Sequence, residues 1–166
     1  MAKVDSVSVD SIGNPAPVEP DSLLTPGDTV SVSLAELCTP GYSHGVRHVT
    51  AAEKKLVYRE YGIASHRVGE YEVDHLISLE LGGSNSARNL WPQSYWALPW
   101  NAHVKDALEN ALHRAVCDGT VSLQVARHDI AVDWVSAYEK YVAPGNTGRS
   151  PPGMTARGAG GRSTSH

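Results

Sequence analysis

Apolar and polar residues alternate most regularly in the second half of the chain. Between residues 101 and 116, apolar side chains recur at the three- and four-residue spacing of one helix face, and Asp118-Gly119 ends the run. This spacing predicts a helix over 101–116. Ser122 begins a further helical region that extends to about Val142. The side chains expected in its core are Leu123, Ile130, Trp134 and Tyr138.

The residues upstream combine one helical pattern with one extended pattern. Thr50 and Glu53 have the spacing of a capping box, which predicts a helix from about 51 to 61. Residues 68–81 (VGEYEVDHLISLEL) are rich in β-forming side chains and end before a Gly-Gly pair, which predicts a β-hairpin or its first strand. Together these patterns indicate a mixed α+β fold.

Two segments between the predicted strand and the 101–116 helix show neither period. Residues 84–90 (SNSARNL) are polar and are expected to form a loop that closes at Asn89-Leu90. Residues 91–100 (WPQSYWALPW) are aromatic and contain two prolines. Because proline interrupts regular elements, we predict a packed loop here.

The two ends of the chain differ in composition from its middle. Residues 1–34 contain four prolines and no helical period, so they are expected to form an extended or disordered leader. Residues 143–166 are rich in Gly, Pro, Ser and Arg without an apolar face, and we expect a disordered tail. A single folded domain is therefore predicted over 35–142.

The charge of the chain neither supports nor excludes a nucleic-acid partner. The formal net charge of −4 is unexpected for a protein that binds phosphates. However, residues 1–36 carry six acids against one lysine, and residues 143–166 carry three arginines and no acid. Residues 37–142 are nearly balanced, with ten basic and twelve acidic side chains. A local basic patch, rather than the net charge, would have to attract the partner.

The sequence contains no run of roughly 20 apolar residues, so no membrane association is expected. Residues 1–22 also lack the apolar run of an export signal, which predicts a cytoplasmic protein as the chain is written, with secretion as the alternative. Cys38 and Cys117 are too few for a zinc site of four thiolates. We interpret them as two buried thiols, and the alternative is a disulfide formed in an oxidising compartment.

Candidate chemistry is concentrated around the Asp74-His75 pair. Asn89 lies fourteen residues after His75, and His103 lies fourteen residues after Asn89. A neutral imidazole can take a proton from water, and a carboxylate suits a hard divalent cation, which are the two needs of phosphodiester hydrolysis. Adjacent residues of a regular strand face opposite sides. Asp74 and His75 can therefore serve one site only where the strand bends or ends.

The segment VDHLISLELGGSNSARNLWPQ resembles the core of HNH endonucleases, whose fold is the ββα-metal finger. It is similar in particular to a bacterial group of small HNH proteins in which DH and NLWP segments precede a KD-x-LE helix. Here that helix reads Lys105-Asp106-Ala107-Leu108-Glu109. With the flanking segments CTPGYSHGVR and VCDGTVSLQVARHDIAVDW, the resemblance covers about residues 24–142.

The resemblance implies a role for each matched residue. His75 corresponds to the general base and Asp74 to a metal ligand. Asn89 corresponds to the residue that holds the loop and orients the histidine by hydrogen bonding. His103 is the best-placed second ligand on the helix, and Lys105 and Asp106 lie close to it in sequence. The implied cofactor is one divalent metal ion, Mg²⁺ in first place, with Mn²⁺, Ni²⁺ and Zn²⁺ as alternatives.

The resemblance also implies a nucleic-acid substrate, DNA in preference to RNA, and it leaves the oligomeric state open. Lys105, Arg47 and Lys54 are candidate phosphate contacts, although a solvated charged surface would explain Arg47 and Lys54 equally well. The alternative function is a non-catalytic nucleic-acid-binding module that uses the same finger as a scaffold. A third interpretation is a protein-binding domain with a vestigial site.

Overall fold

A computed structural model of the protein describes residues 18–144, and within this range the fold is α+β. The described residues form helices around a small antiparallel sheet of two strands. In chain order the elements are α1 (Leu34–Leu37), α2 (Tyr42–Val46), α3 (Ala51–Glu60), β1 (Tyr71–His75), β2 (Leu90–Ser94), α4 (Ala102–Cys117), α5 (Leu123–Val132) and α6 (Trp134–Tyr141). Short 3₁₀ turns at Leu79–Leu81 and Ala87–Asn89 lie between the strands.

Side-chain caps explain where the main helices begin. The Thr50 hydroxyl accepts a hydrogen bond from the Glu53 amide, and the Glu53 carboxylate accepts one from the Thr50 amide, so the predicted capping box is confirmed. Asn101 caps α4 and Ser122 caps α5 in the same way through their side chains. The predicted helices at 51–61 and 101–116 are thus confirmed to within one residue at each end.

The main apolar core lies between α4, α5 and α6. Along α4 one helix face is buried, as the spacing in the sequence predicts. The predicted helical region over 122–142 forms two helices, because Asp133 ends α5 and caps α6. Three of its four predicted core residues are buried and the other is partly buried. The three are Ile130, Trp134 and Tyr138, and the partly buried one is Leu123.

The prediction of a packed loop over 91–100 is wrong for its first part, because residues 90–94 form β2. Pro92 pairs with Val73 in the register, and Asp74 and His75 pair with Trp91 and Leu90. A two-stranded sheet tolerates the proline because each strand has one unpaired edge, where a missing amide costs no ladder hydrogen bond.

The sheet has a different neighbour on each face. Val73 and Leu90 pack with Val57 of α3 in a second apolar cluster. Alternation along β1 directs Asp74 to the opposite face, where Lys105 of α4 meets it. The end of β1 therefore lies between the helix before the sheet and the helix after it.

Part of the predicted leader packs against the domain. The Thr25 hydroxyl is buried and donates to the Leu90 carbonyl at 2.8 Å, and Thr29 forms a β-bridge with Gly83. The Gly27 amide donates to the Arg88 carbonyl at 3.0 Å. Residues 18–33 are irregular, with a turn at 22–24, and they cover the loop between the strands, while Leu34, also placed in the predicted leader, begins α1. Residues 1–17 and 145–166, where the rest of the leader and most of the tail fall, lie outside the described residues.

Cys38 and Cys117 form a disulfide, so the interpretation as two buried thiols is wrong. The bond joins the end of α1 to the end of α4 across 79 residues of sequence. Closing a loop of that length is expected to stabilise the fold by about 2–4 kcal/mol, because it restricts the unfolded chain. Among residues 18–144, no helix has both the length and the apolar character that a membrane span requires.

Candidate functional site

Lys105 forms the centre of a buried cluster of charges beside β1. Its ammonium Nζ donates to Asp74 Oδ2 at 2.7 Å and to the His75 carbonyl oxygen at 2.7 Å, and it also donates to Glu109 Oε1. The Lys105 side chain is 1% exposed and that of Asp74 is 8% exposed. Since α4 carries Lys105 and Glu109 one turn apart, one helix face supplies both groups.

The sequence predicts that Lys105 contacts phosphate, whereas in the structure its ammonium is buried and directed to Asp74 and Glu109. Burial alone would lower the pKa of Lys105, but the carboxylates of Asp74 and Glu109 raise it well above its ordinary value. Lys105 is therefore a permanent internal cation. It acts on the site by holding Asp74 and the end of β1 in place.

Glu109 is a carboxyl group of this cluster whose pKa is raised. Burial and the charge of Asp74 raise its pKa to about 7, against the opposing effect of Lys105. The attraction to Lys105 by itself would lower the pKa of Glu109. We expect the upward direction to prevail, because one buried ammonium cannot compensate two buried carboxylates equally.

Glu109 is expected to make the stability of the protein depend on pH. A carboxyl group with a pKa of 4.5 when unfolded and about 7 when folded contributes stability below pH 4.5, which is lost as the pH rises through 7. Glu109→Gln should remove this part of the decline in unfolding free energy between pH 4.5 and 7. Urea unfolding at a series of pH values measures it, with the exposed Glu60→Gln as the control. Parallel curves for wild type and Glu109→Gln would contradict the assignment.

The His75 imidazole is held in one orientation by Asn85. The Nε2 atom of His75 lies 3.0 Å from Asn85 Oδ1, which also accepts a hydrogen bond from the His48 amide at 3.1 Å. The Asn85 Nδ2 group donates to the Val46 carbonyl at 2.8 Å. Because the His48 amide can only donate and the Val46 carbonyl can only accept, the orientation of the Asn85 amide is determined.

This arrangement determines the tautomer of His75. An amide oxygen beside Nε2 requires the proton on Nε2, so the lone pair of the neutral ring is on Nδ1. Within residues 18–144, Nδ1 is buried and has no hydrogen-bond partner. Burial lowers the pKa of His75, and the charges of Arg47 and Lys105 lower it further, against the effects of Asn85 and Asp74. At neutral pH the ring is therefore neutral and carries an unused basic nitrogen.

Asn89 holds the loop between the strands but does not orient His75. Its side chain accepts from the Ile77 amide at 2.9 Å and donates to the carbonyls of Ile77 and Ser84 at 3.0 and 2.9 Å. The expected hydrogen bond from Asn89 to His75 is wrong, and Asn85 makes it instead. Both polar atoms of the Asn89 side-chain amide therefore bond to backbone groups.

The Gly-Gly pair is the sequence signal that could have pointed to Asn85. A Cβ atom on Gly83 would overlap the Ile77 carbonyl, so only glycine lets the loop close there. Gly82 adopts a left-handed φ of 74° at the end of the preceding 3₁₀ turn. This tight reversal delivers Asn85 to the His75 ring ten residues away.

His103 and Asp106 lie on the exposed side of α4. The His103 ring packs against Tyr95, with 5.3 Å between ring centroids. Burial and the nearby charge of Asp74 raise the pKa of Asp106, and the charges of Lys105 and His103 partly offset this. Asp106 is thus close enough to Asp74 for their charges to interact, a position that the sequence predicts for His103.

The described residues do not assemble a set of ligands for a divalent cation around the Asp74 carboxylate. Lys105 Nζ takes the position beside Asp74 Oδ2 that a metal ion would need. Among residues 18–144, no hydrogen bond or ion pair joins His103 to Asp74. The same residues contain no group of three or more His, Cys, Asp and Glu side chains that could hold a metal ion. The arrangement at Asp74 is that of a buried ion pair.

Of the two other predicted phosphate contacts, only Arg47 lies near the site. Arg47 is exposed at the end of α2, and its charge acts on both His75 and Asp106. A cavity of about 210 Å³ is lined by Arg47, Ser78 and Glu109 among others. Lys54 is exposed on α3 and is not brought to His75 by any described contact.

Comparison of the chain with protein-family models, with curated proteins and with solved structures finds no match.

Proposed function

We propose that this protein is an HNH-type endonuclease that hydrolyses phosphodiester bonds in nucleic acid, DNA in preference to RNA. In this proposal β1, β2 and α4 form the ββα finger. The observation that carries it is the state of His75, a buried neutral imidazole whose Nε2 proton is bound by Asn85 and whose Nδ1 has no partner among the described residues. A structural histidine would use both nitrogens, whereas a general base needs one of them open for reaction.

In the proposed reaction His75 Nδ1 takes a proton from the attacking water. Asn85 supports this step, because its Oδ1 accepts from Nε2–H and stabilises the imidazolium that forms. The Asp74 carboxylate adds a favourable charge at short range. Nδ1 is closed to solvent in the described conformation, so the proposal requires that substrate binding uncovers it. Catalytic contacts often tighten only in the substrate complex.

Arg47 is the group best placed to bind the phosphate. It is exposed, its charge reaches His75, and its planar guanidinium can donate two parallel hydrogen bonds to phosphate oxygens. A metal ion would supply further neutralisation of the phosphate charge, as the resemblance implies. In the described conformation the Asp74 carboxylate already pairs with Lys105.

The disulfide bears on the compartment in which this activity would operate. The Cys38–Cys117 disulfide is typical of proteins that mature in oxidising compartments, since the cytoplasm keeps thiols reduced. We therefore propose secretion or another oxidising location in place of the cytoplasmic expectation.

The direct test is a cleavage assay with the purified protein. Plasmid DNA, single-stranded DNA and RNA are incubated with EDTA or with Mg²⁺, Mn²⁺, Ni²⁺ or Zn²⁺. We expect cleavage of DNA in at least one metal arm, and the EDTA arm measures whether catalysis needs an ion. Binding without cleavage in every arm would favour the non-catalytic module. Neither binding nor cleavage would favour a protein-binding domain.

Asn85→Ala is expected to release the His75 ring from its single tautomer. The ¹⁵N resonances of the imidazole should move from the Nε2–H pattern toward a mixture, because the oxygen that selects the proton is gone. The kcat of cleavage should fall, by up to roughly 10²-fold for a misplaced base, with little change in KM. Asn110→Ala is the matched control, because within residues 18–144 the exposed Asn110 amide bonds only to the Asp106 carbonyl. Unchanged His75 resonances in Asn85→Ala would contradict the role of Asn85.

A further inference from the structure

A second concave site lies on α3, on the opposite side of that helix from the apolar cluster. After α3 ends, Gly62 takes a left-handed φ of 70°, its amide donates to the Arg59 carbonyl, and the Ile63 amide donates to the Tyr58 carbonyl. This reversal lays residues 63–66 beside the last turn of the helix. The cavity between them is about 420 Å³, which is in the range of small-molecule sites.

Two cations on one helix face line this cavity. Lys55 and Arg59 are one turn apart, both are exposed, and within residues 18–144 neither side chain has an ion pair or a hydrogen bond. The carboxyl end of a helix carries about half a negative charge, which opposes an anion there. Here two helix carbonyls already accept hydrogen bonds from Gly62 and Ile63, and two full positive charges outweigh the remainder.

The other wall of the cavity is aromatic. The rings of Tyr58 and His66 are 4.4 Å apart between centroids, tilted by 33°, and both side chains line the cavity. Aromatic side chains beside a cationic groove are the combination that binds the bases and phosphates of single-stranded nucleic acid. A small anion alone would need the cations but not the aromatic surface.

We propose that this cavity binds one nucleotide unit, with its phosphate on Lys55 and Arg59 and its base on His66 and Tyr58. This inference rests on the proposed function in one respect: the bound nucleotide is taken to belong to a nucleic-acid strand that also passes His75. Tyr71, the first residue of β1, contacts the rings of Tyr58 and His66, and it lies four residues from His75. Four strand residues span about 13 Å, a distance of a few nucleotides along a strand.

Nucleotide binding can be measured without any cleavage. Wild-type protein is titrated with dAMP, deoxyadenosine and inorganic phosphate, with amide NMR shifts of Gly62 and Ala64 as reporters. We expect dAMP to bind more tightly than either fragment. Lys55→Ala and Arg59→Ala should each weaken dAMP binding by about tenfold, as for loss of a charge-assisted hydrogen bond. Arg114→Ala is the control, because Arg114 is exposed on α4 and does not line the cavity.

Competition distinguishes a nucleotide in a strand from a free nucleotide. In the His75→Ala variant, single-stranded DNA should displace dAMP, and adding Lys55→Ala or Arg59→Ala should weaken the binding of that DNA as followed by the Gly62 and Ala64 amides. Absence of dAMP binding, equal binding of phosphate and dAMP, or no effect of the two variants would overturn the proposal. If dAMP binds but single-stranded DNA does not displace it, the cavity does not bind a nucleotide that is part of a strand. If dAMP binds but the wild-type protein cleaves nothing, the nuclease proposal fails and the cavity assignment stands.

Discussion

Substituting His75 by alanine should lower the kcat of phosphodiester cleavage by roughly 10²–10⁴-fold, the usual effect of losing a general base. The ring is the buried base proposed for the site, with Nε2 bound to Asn85 and Nδ1 unpartnered among the described residues. Alanine removes the only group of this residue that can accept a proton. Single-turnover cleavage with saturating enzyme measures the chemical step apart from binding.

Two further variants separate catalysis from folding. His75→Gln keeps a side-chain amide that can donate to Asn85 Oδ1 but has no basic nitrogen, so we expect it to be as inactive as His75→Ala. His128→Ala is the control, because His128 is exposed on α5 and its ring, in the part of the chain that the structure describes, bonds only to the neighbouring Asp129. Near-wild-type turnover in a folded His75→Ala protein would show that another group activates the water.

Local sequence signals were sufficient for the helices. The Thr50–Glu53 box spans four residues and the apolar spacing of α4 lies within residues 101–116, and the structure has both helices at those positions. Signals of this kind describe a segment in terms of its own neighbours. They do not report which distant side chain a polar residue meets.

The site depends on contacts of the second kind. Lys105 reaches Asp74 across 31 residues, and nothing in the local pattern of α4 distinguishes a lysine that pairs with a buried carboxylate from one in solvent. The choice between Asn85 and Asn89 depends on how the loop between the strands folds over His75, which Gly83 and the buried amide of Asn89 decide together. The resemblance supplied Asp74 and His75 as residues, and the structure supplies their partners.

The second large effect is expected from Lys105→Ala, which should lower the free energy of unfolding by about 3–5 kcal/mol. The variant leaves the carboxylates of Asp74 and Glu109 buried next to each other without the ammonium that neutralises them. It also removes the donor to the His75 carbonyl at the end of β1. Chemical denaturation at pH 8, where Glu109 of the wild type is mostly ionised, measures the loss, which should shrink at lower pH because removing Lys105 raises the pKa of Glu109 further and the carboxyl group takes up a proton.

The control for charge removal is Lys140→Ala. Lys140 also forms an ion pair, with Asp129 at 2.8 Å, but its side chain is 59% exposed, and exposed pairs contribute only about 0–1 kcal/mol. Equal stability losses for the two variants would mean that Lys105 is not an internal cation. A double variant, Asp74→Asn with Lys105→Met, should recover part of the stability of Lys105→Ala, because it removes one of the two uncompensated carboxylates together with the ammonium and leaves Glu109. If that double variant is stable but inactive while it still binds DNA, the Asp74–Lys105 pair is needed for cleavage and not only for folding.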